Sequence, residues 1–220
     1  MHKQSRVRGR TLARAFAATS LAGLAAAAAA PSAASAPAGT DTIGVNARHH
    51  VLAGQQVRIA GRLGSGQDGR DVLVRVRHGG AWKVVDRAKT AGGGRYSASW
   101  TPRGTGRYGV RVSTADGSAK RSLEDGITVY RRSAASWYGP GFYGNRTACG
   151  RTLARGTLGV AHKSLPCGTK VALRYRGRTV IAPVIDRGPY AAGREYDLTA
   201  ATKERLRFGS TGTVWSSPQS

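Results

Sequence analysis

Short runs in which every second residue is apolar fill the stretch from about 45 to 130, and glycines separate the runs. Val57 and Ile59 alternate with polar residues in QVRIAGR, and Val72, Val74 and Val76 do so in DVLVRVR. Tyr96, Ala98 and Trp100 follow the same rule in RYSASW, as do Tyr108, Val110 and Val112 in RYGVRV. Trp82 and Val84 come after a Gly79-Gly80 turn, and Ile127 and Val129 end the series. A strand sends successive side chains to opposite faces, so this period predicts half-buried strands in an antiparallel sandwich. Neither cysteine of the chain lies here, so the core must hold without a covalent staple, and Trp82 and Trp100 are expected to supply much of it. No catalytic set is visible: Asp68, Asp71 and Asp86 are scattered over turns and strand edges, and His49-His50 is expected to be solvated at the entrance.

The first 36 residues carry a different signal. Lys3, Arg6, Arg8, Arg10 and Arg14 precede an Ala/Leu run from Ala15 to Ala30, Pro31 breaks it, and Ala34-Ser35-Ala36 fits a small-residue cleavage site. This is the pattern of a secretory signal peptide. The run is too short and too weakly apolar to leave a stable membrane span. No cysteine stands near the cut to carry acyl chains, so a soluble exported chain is expected. Residues 37–44 read as an Ala/Gly/Thr linker.

Export bears on the two cysteines and on the charge. In an oxidising compartment Cys149 and Cys167 are expected to pair as a disulfide. A zinc site built from them and His162 is the rival, without an evident fourth ligand, and no metal or other cofactor is expected. The formal charge of +24 favours polyanions. For an exported chain, anionic wall polymers fit that field better than nucleic acid does, and a plain compositional bias toward Arg fits it equally well.

Residues from Ala135 to Trp215 hold nearly everything that reads as chemistry. Asp and Glu total only 11 in 220 residues, yet Asp186 and Asp197 fall within twelve positions, each bracketed by apolar and turn residues. TKVALRY (169–175) and RTVIAPVI (178–185) predict two strands around an Arg176-Gly177 turn. Thr199 to Phe208 predicts a short helix stopped by Gly209, and Thr211 to Ser216 a last strand. The boundary with the preceding strands is placed at Arg131–Ala134.

Four motifs follow in order: ASWYGPGFYG (135–144), GVAHKSLPCGT (159–169), the DRGP box at 186–189 and YDLT (196–199). Together they resemble the rare-lipoprotein-A-like double-psi β-barrel family and its expansin-like relatives, in a secreted actinobacterial variant. The segments GGAWKVV, TAGGGRYSASW and GTGRYGVRVS resemble bacterial immunoglobulin-like modules. The organisation so implied is mainly β: an immunoglobulin-like sandwich over 45–130, then a six-stranded double-psi barrel with a short helix over 135–216.

The resemblance implies a protein of the cell wall that acts on peptidoglycan glycan strands as a lytic transglycosylase. The alternatives are a non-catalytic glycan-binding or wall-loosening module and an extracellular protein-interaction module. Asp186 matches a catalytic aspartate of the family, His162 lines the groove beside it, and YDL places Asp197 where expansin-like relatives carry a functional acid. Each also has a plain structural role: Asp186 as a turn residue, Asp197 as a helix cap, His162 as a packed imidazole. Trp137, Tyr138, Tyr143 and Tyr190 could pave a sugar groove with flat apolar faces, and Arg187 could hold a carboxylate. One departure stands out: Arg151 occupies a place that lytic relatives often fill with an acid.

Overall fold

The structure is a computed structural model that describes residues 41–219. The signal-peptide reading of 1–36 therefore falls outside the described residues. In chain order the elements are β1 (Asn46–Ala47), β2 (His50–Leu52), β3 (Val57–Arg62), β4 (Asp71–Arg77), β5 (Lys83–Lys89), β6 (Arg95–Trp100) and β7 (Gly106–Thr114). They continue with β8 (Lys120–Ser122), β9 (Ile127–Tyr138), β10 (Val160–His162), β11 (Lys170–Tyr175) and β12 (Arg178–Asp186). The last are β13 (Tyr196–Thr199), α1 (Ala200–Leu206) and β14 (Gly212–Gln219). No helix among the described residues is long and apolar enough to cross a membrane.

The amino-terminal half is a two-sheet unit. One sheet runs β1-β3-β6; in the other, β5, β4 and β7 lead to β9, with β8 and β2 paired to β7 and β9. The alternating residues meet between the sheets as the period required: Ile59, Val72, Val74, Val110, Val112, Ile127 and Val129 are fully buried in one cluster. Two expectations fail here. Trp82 lies outside that cluster, half-buried on the outer face of the sheet, and Trp100 only packs against its edge. The β4–β5 register shifts between Val74 and Arg75, which turns Val84 outward at 41% exposure and lets Val85 pack on the core instead. A one-residue irregularity exchanges the faces of everything beyond it, so β-branched residues rather than indoles fill this core.

Residues 41–44, read as linker, pair with the sheet. Gly44 N–H donates to Arg62 O at 2.8 Å, and buried Ile43 bridges Leu63. The histidine pair is also engaged. His49 Nδ1 donates to Gly126 O at 3.0 Å, and half-buried His50 Nδ1 lies 2.9 Å from the Tyr130 hydroxyl.

The carboxy-terminal half closes on itself. β13 pairs antiparallel with β10, β10 parallel with β12, β12 antiparallel with β11, β11 with β14, β14 with β9, and β9 parallel with β13. The result is a six-stranded barrel with no open edge among these strands. Val160, Val171, Leu173, Val184, Tyr196, Leu198 and Val214 fill it. Arg131–Ala134, placed at a boundary from sequence, lie inside β9, whose first residues pair in the two-sheet unit and whose last pair in the barrel. The run ITVYRRSAASWY holds no Gly or Pro to stop a strand, and exposed Arg131 and Arg132 mark the crossing from one core to the other.

The helix is shorter than expected. Thr199 is its N-cap, its side chain accepting from Thr202 N, and Arg207 ends it in the left-handed conformation before Gly209 is reached. The capping role proposed for Asp197 is thus taken by Thr199. The Thr202 hydroxyl donates to Gly159 O at 2.8 Å and ties the helix to the segment entering β10. Gly159 is required there, because a Cβ would lie 2.5 Å from the Ile185 side chain.

Candidate active site

Three strand ends bring the carboxylates together. On β10, Ala161 stands opposite Asp197 of β13 and opposite Asp186 of β12. On β9, Ser136 stands opposite Asp197 and Tyr138 opposite Thr199. Residues two apart on a strand share a face, so Ser136, Tyr138 and Asp197 project to the same side. The Ser136 hydroxyl donates to Asp197 Oδ1. Asp186 Oδ1 accepts two backbone N–H groups, Ala148 and Arg187, each at 2.9 Å. These two amides orient the carboxyl through Oδ1, and the Tyr138 phenol lies beside it.

Tyr138 sits between the two acids. Its hydroxyl is buried and has no hydrogen-bond partner among the described residues. Burial pushes its pKa well above the usual phenol value, and the charges of Asp186 and then Asp197 add to the rise. The neutral phenol can donate to the Asp186 carboxyl, whose contact contributes to that rise.

His162 does not join them. It stands opposite Tyr196, one residue beyond Ala161, so the pleat turns its ring away from both acids. The expected imidazole beside Asp186 is therefore corrected. Nδ1 accepts the N–H groups of Ser164 and Leu165 at 3.1 and 3.0 Å, which leaves the proton on Nε2, 3.7 Å from Glu195 Oε1. The ring packs on Tyr196 at 4.9 Å between centroids. Burial lowers the His162 pKa, Arg131 and Arg187 add to the fall, and Glu195 opposes it. The histidine thus shapes the loop leading to Cys167, in the packed role that was its plain alternative.

Arg187 is likewise occupied. Its Nη1 donates to the carbonyls of His162 and Leu165 at 3.1 and 2.9 Å, and its Nη2 lies 3.4 Å from Cys167 Sγ. Both Nη nitrogens are thus turned to the loop that leads to Cys167. Cys149 and Cys167 are joined, Cα–Cα 5.7 Å, next to the Ala148 amide that holds Asp186. Among the described residues no group of three or more His, Cys, Asp or Glu side chains could hold a metal ion.

The aromatic residues divide. Trp137 and Tyr143 line a surface cleft of about 320 Å³ with Arg155, Lys203 and Glu204. Lys203 Nζ lies 3.9 Å from the Trp137 ring centroid and covers it. Tyr190 is 85% exposed and Tyr138 is half-buried against Phe142. Arg151 is exposed, its backbone paired with Thr147.

Sequence reasoning missed Ser136, Glu195 and Arg131. Glu195 accepts from both Arg131 Nη1, at 2.7 Å, and Arg131 Nη2. The signal for Ser136 was its place two before Tyr138, which is the strand period; Glu195 precedes β13 and gave none. Arg131 gives no such sign, because its partner is 64 positions away.

The class of domain that fold and site define is a closed six-stranded β-barrel with two carboxylates and a buried phenol gathered at its strand ends. Comparison with known proteins narrows it. Residues 131–215 match the family model described as lytic transglycolase, and they form an RlpA-like double-psi β-barrel. The chain is 39% identical over 106 residues to the "Probable endolytic peptidoglycan transglycosylase RlpA" of Synechocystis sp., covering 47% of this chain and 31% of that protein. It is 41% identical over 82 residues to the endolytic peptidoglycan transglycosylase RlpA of Campylobacter jejuni, covering 36% and 30%. With the Pseudomonas aeruginosa protein of the same name the identity is 35% over 103 residues, covering 46% and 30%. The chain thus spans about a third of the length of these curated relatives.

Proposed function

We propose that this is an exported cell-wall protein whose barrel cleaves peptidoglycan glycan strands by the lytic transglycosylase reaction, with the two-sheet unit an immunoglobulin-like spacer. The observation that carries the reading is Asp186, its carboxyl oriented by two amides through one oxygen beside the Tyr138 phenol, in a barrel similar to proteins named as transglycosylases. A single carboxyl suffices for this chemistry. Protonated Asp186 gives its proton to the glycosidic oxygen as the C1–O bond breaks. The 6-hydroxyl of the same sugar closes on C1 and returns its proton to Asp186. The product is a 1,6-anhydro sugar, no water is consumed, and the carboxyl ends as it began. Asp197, held by Ser136, flanks the reacting sugar, and the buried Tyr138 phenol braces the two carboxyls from behind.

Exposed Arg151 favours the second reading, a wall-binding module without catalysis. One experiment separates the two. Purified mature protein is incubated with peptidoglycan sacculi and soluble products are analysed by mass spectrometry. Anhydro-ended muropeptides are expected, with Asp186→Asn reducing them at least 100-fold while circular dichroism stays unchanged. Equal product from the mutant removes Asp186 from the reaction, and binding without product from the wild type removes the reaction itself.

A further inference from the structure

The outer face of the β5-β4-β7-β8 sheet carries a feature that the barrel does not use. The registers place Arg87, Leu73, Ser113 and Lys120 in one row across the four strands, and Val84, Arg75, Arg111 and Ser122 in the next. Arg77 follows on β4, opposite Gly109. Strands about 4.8 Å apart make this face about 14 Å across. Arg75 and Arg111 stand directly opposite each other, an arrangement of like charges that destabilises a sheet. Among the described residues, Arg75, Arg77, Arg87, Arg111 and Lys120 have no carboxylate within 4.0 Å. Asp71 pairs with Lys89, and Asp86 accepts the backbone N–H groups of Arg87 and Ser99.

The guanidinium groups are held in place by neutral partners. Arg77 and Arg111 lie 4.9 and 4.2 Å from the Trp82 ring centroid. The indole occupies the space above Gly109, where a Cβ would come within 3.2 Å of it. Arg75 Nη1 donates to Ser113 Oγ at 2.7 Å, and Arg111 Nε to Ser122 Oγ at 3.4 Å. Aromatic and hydroxyl contacts fix a guanidinium without neutralising it and leave N–H groups free. An ordered row of unneutralised arginines on a flat face suits a linear polyanion, because each added phosphate meets another cation without the sheet having to move.

We propose that this face binds an anionic phosphodiester polymer of the cell wall, and that Trp82 organises it. The choice of a wall polymer rests on the wall location argued above; the charge pattern stands without it. The full mature chain is tested by sedimentation with purified walls, native or stripped of phosphodiester polymers by cold hydrofluoric acid. Wild type, Arg75→Glu/Arg111→Glu and the milder Arg75→Gln/Arg111→Gln are compared, with Asp186→Asn alongside. Expected are at least a tenfold loss of wild-type binding on stripping, a similar loss for both arginine variants on native walls, and no difference among the proteins on stripped walls. Asp186→Asn should bind as wild type does, so loss of catalysis and loss of this site are distinguishable. Undiminished binding by the Gln variant to native walls, or equal wild-type binding to native and stripped walls, overturns the proposal. Competition by single-stranded DNA as strong as by the purified polymer, at equal phosphate, also overturns it.

Discussion

The two halves of this molecule are both β, yet their interiors are composed differently. Between the sheets of the amino-terminal unit the completely buried side chains Ile59, Leu63, Val72, Val74, Val110, Val112, Ile127 and Val129 are all apolar, and its buried threonines, Thr90 and Thr114, hold turns at the ends of strands. In and around the barrel, Ser133 meets Ser216 at 2.7 Å, Thr199 meets Thr202 at 3.0 Å, and His162 and Ser136 are buried with them. Buried polar groups need partners, so the barrel is threaded with hydrogen bonds that fix side-chain directions. Apolar packing gives one half its stability, and the polar network of the other holds carboxyls at a set angle.

Three experiments can break or sharpen that contrast. The largest effect should come from Ile59→Ala, which empties space in a fully buried apolar site and should cost about 2–5 kcal/mol. Chemical denaturation should show one cooperative transition moving to lower denaturant, since β9 belongs to both halves; two separated transitions would show that the halves unfold independently. Next, replacing both Cys149 and Cys167 by Ser removes a cross-link with a sequence separation of 18 and should cost about 3 kcal/mol by the chain-entropy model. Transglycosylase product should fall with it, because the Ala148 amide beside Cys149 holds Asp186. Full activity in a destabilised double mutant would mean the staple serves stability alone.

The smallest effect concerns pH. Burial holds His162 and His50 below the usual histidine value, with Arg174 and then His49 adding to the fall at His50. Their neutral forms are the ones the fold prefers. The associated stability is complete above a pH of about 6.5 and is lost as pH falls through that value toward the depressed folded-state values. The melting temperature should therefore drop between pH 7.5 and 5.5. His162→Asn keeps an acceptor near the Ser164 and Leu165 amides and cannot titrate, so its melting temperature should depend less on pH. An unchanged pH slope in that variant would dismiss the linkage at His162.

Much of this was legible in the chain. The period-two runs located β3, β4, β6 and β7 and named most of the residues that are buried in them. The four ordered motifs located the barrel and both carboxylates. What could not be read was relative direction. Whether His162 or Ala161 faces Asp186 depends on a register between strands 25 residues apart, with an irregularity between Val160 and Ala161. Trp82 read as core because indoles are large and apolar. The strand that should have turned it inward begins only at Lys83, and two arginines on neighbouring strands offer its ring a different partner.

A twelve-residue strand that enters one core and leaves through another has no swivel in it. On the proposed reading, a polymer bound on the first half would be held at a constant reach and heading from a bond cleaved on the second. Such a chain would behave as a caliper: it would select bonds at a set offset from its anchorage and pass over those that lie nearer or farther. Inserting a flexible Gly/Ser segment after Tyr130 should then broaden the distribution of fragment lengths released from intact walls while leaving the rate on short soluble glycans unchanged.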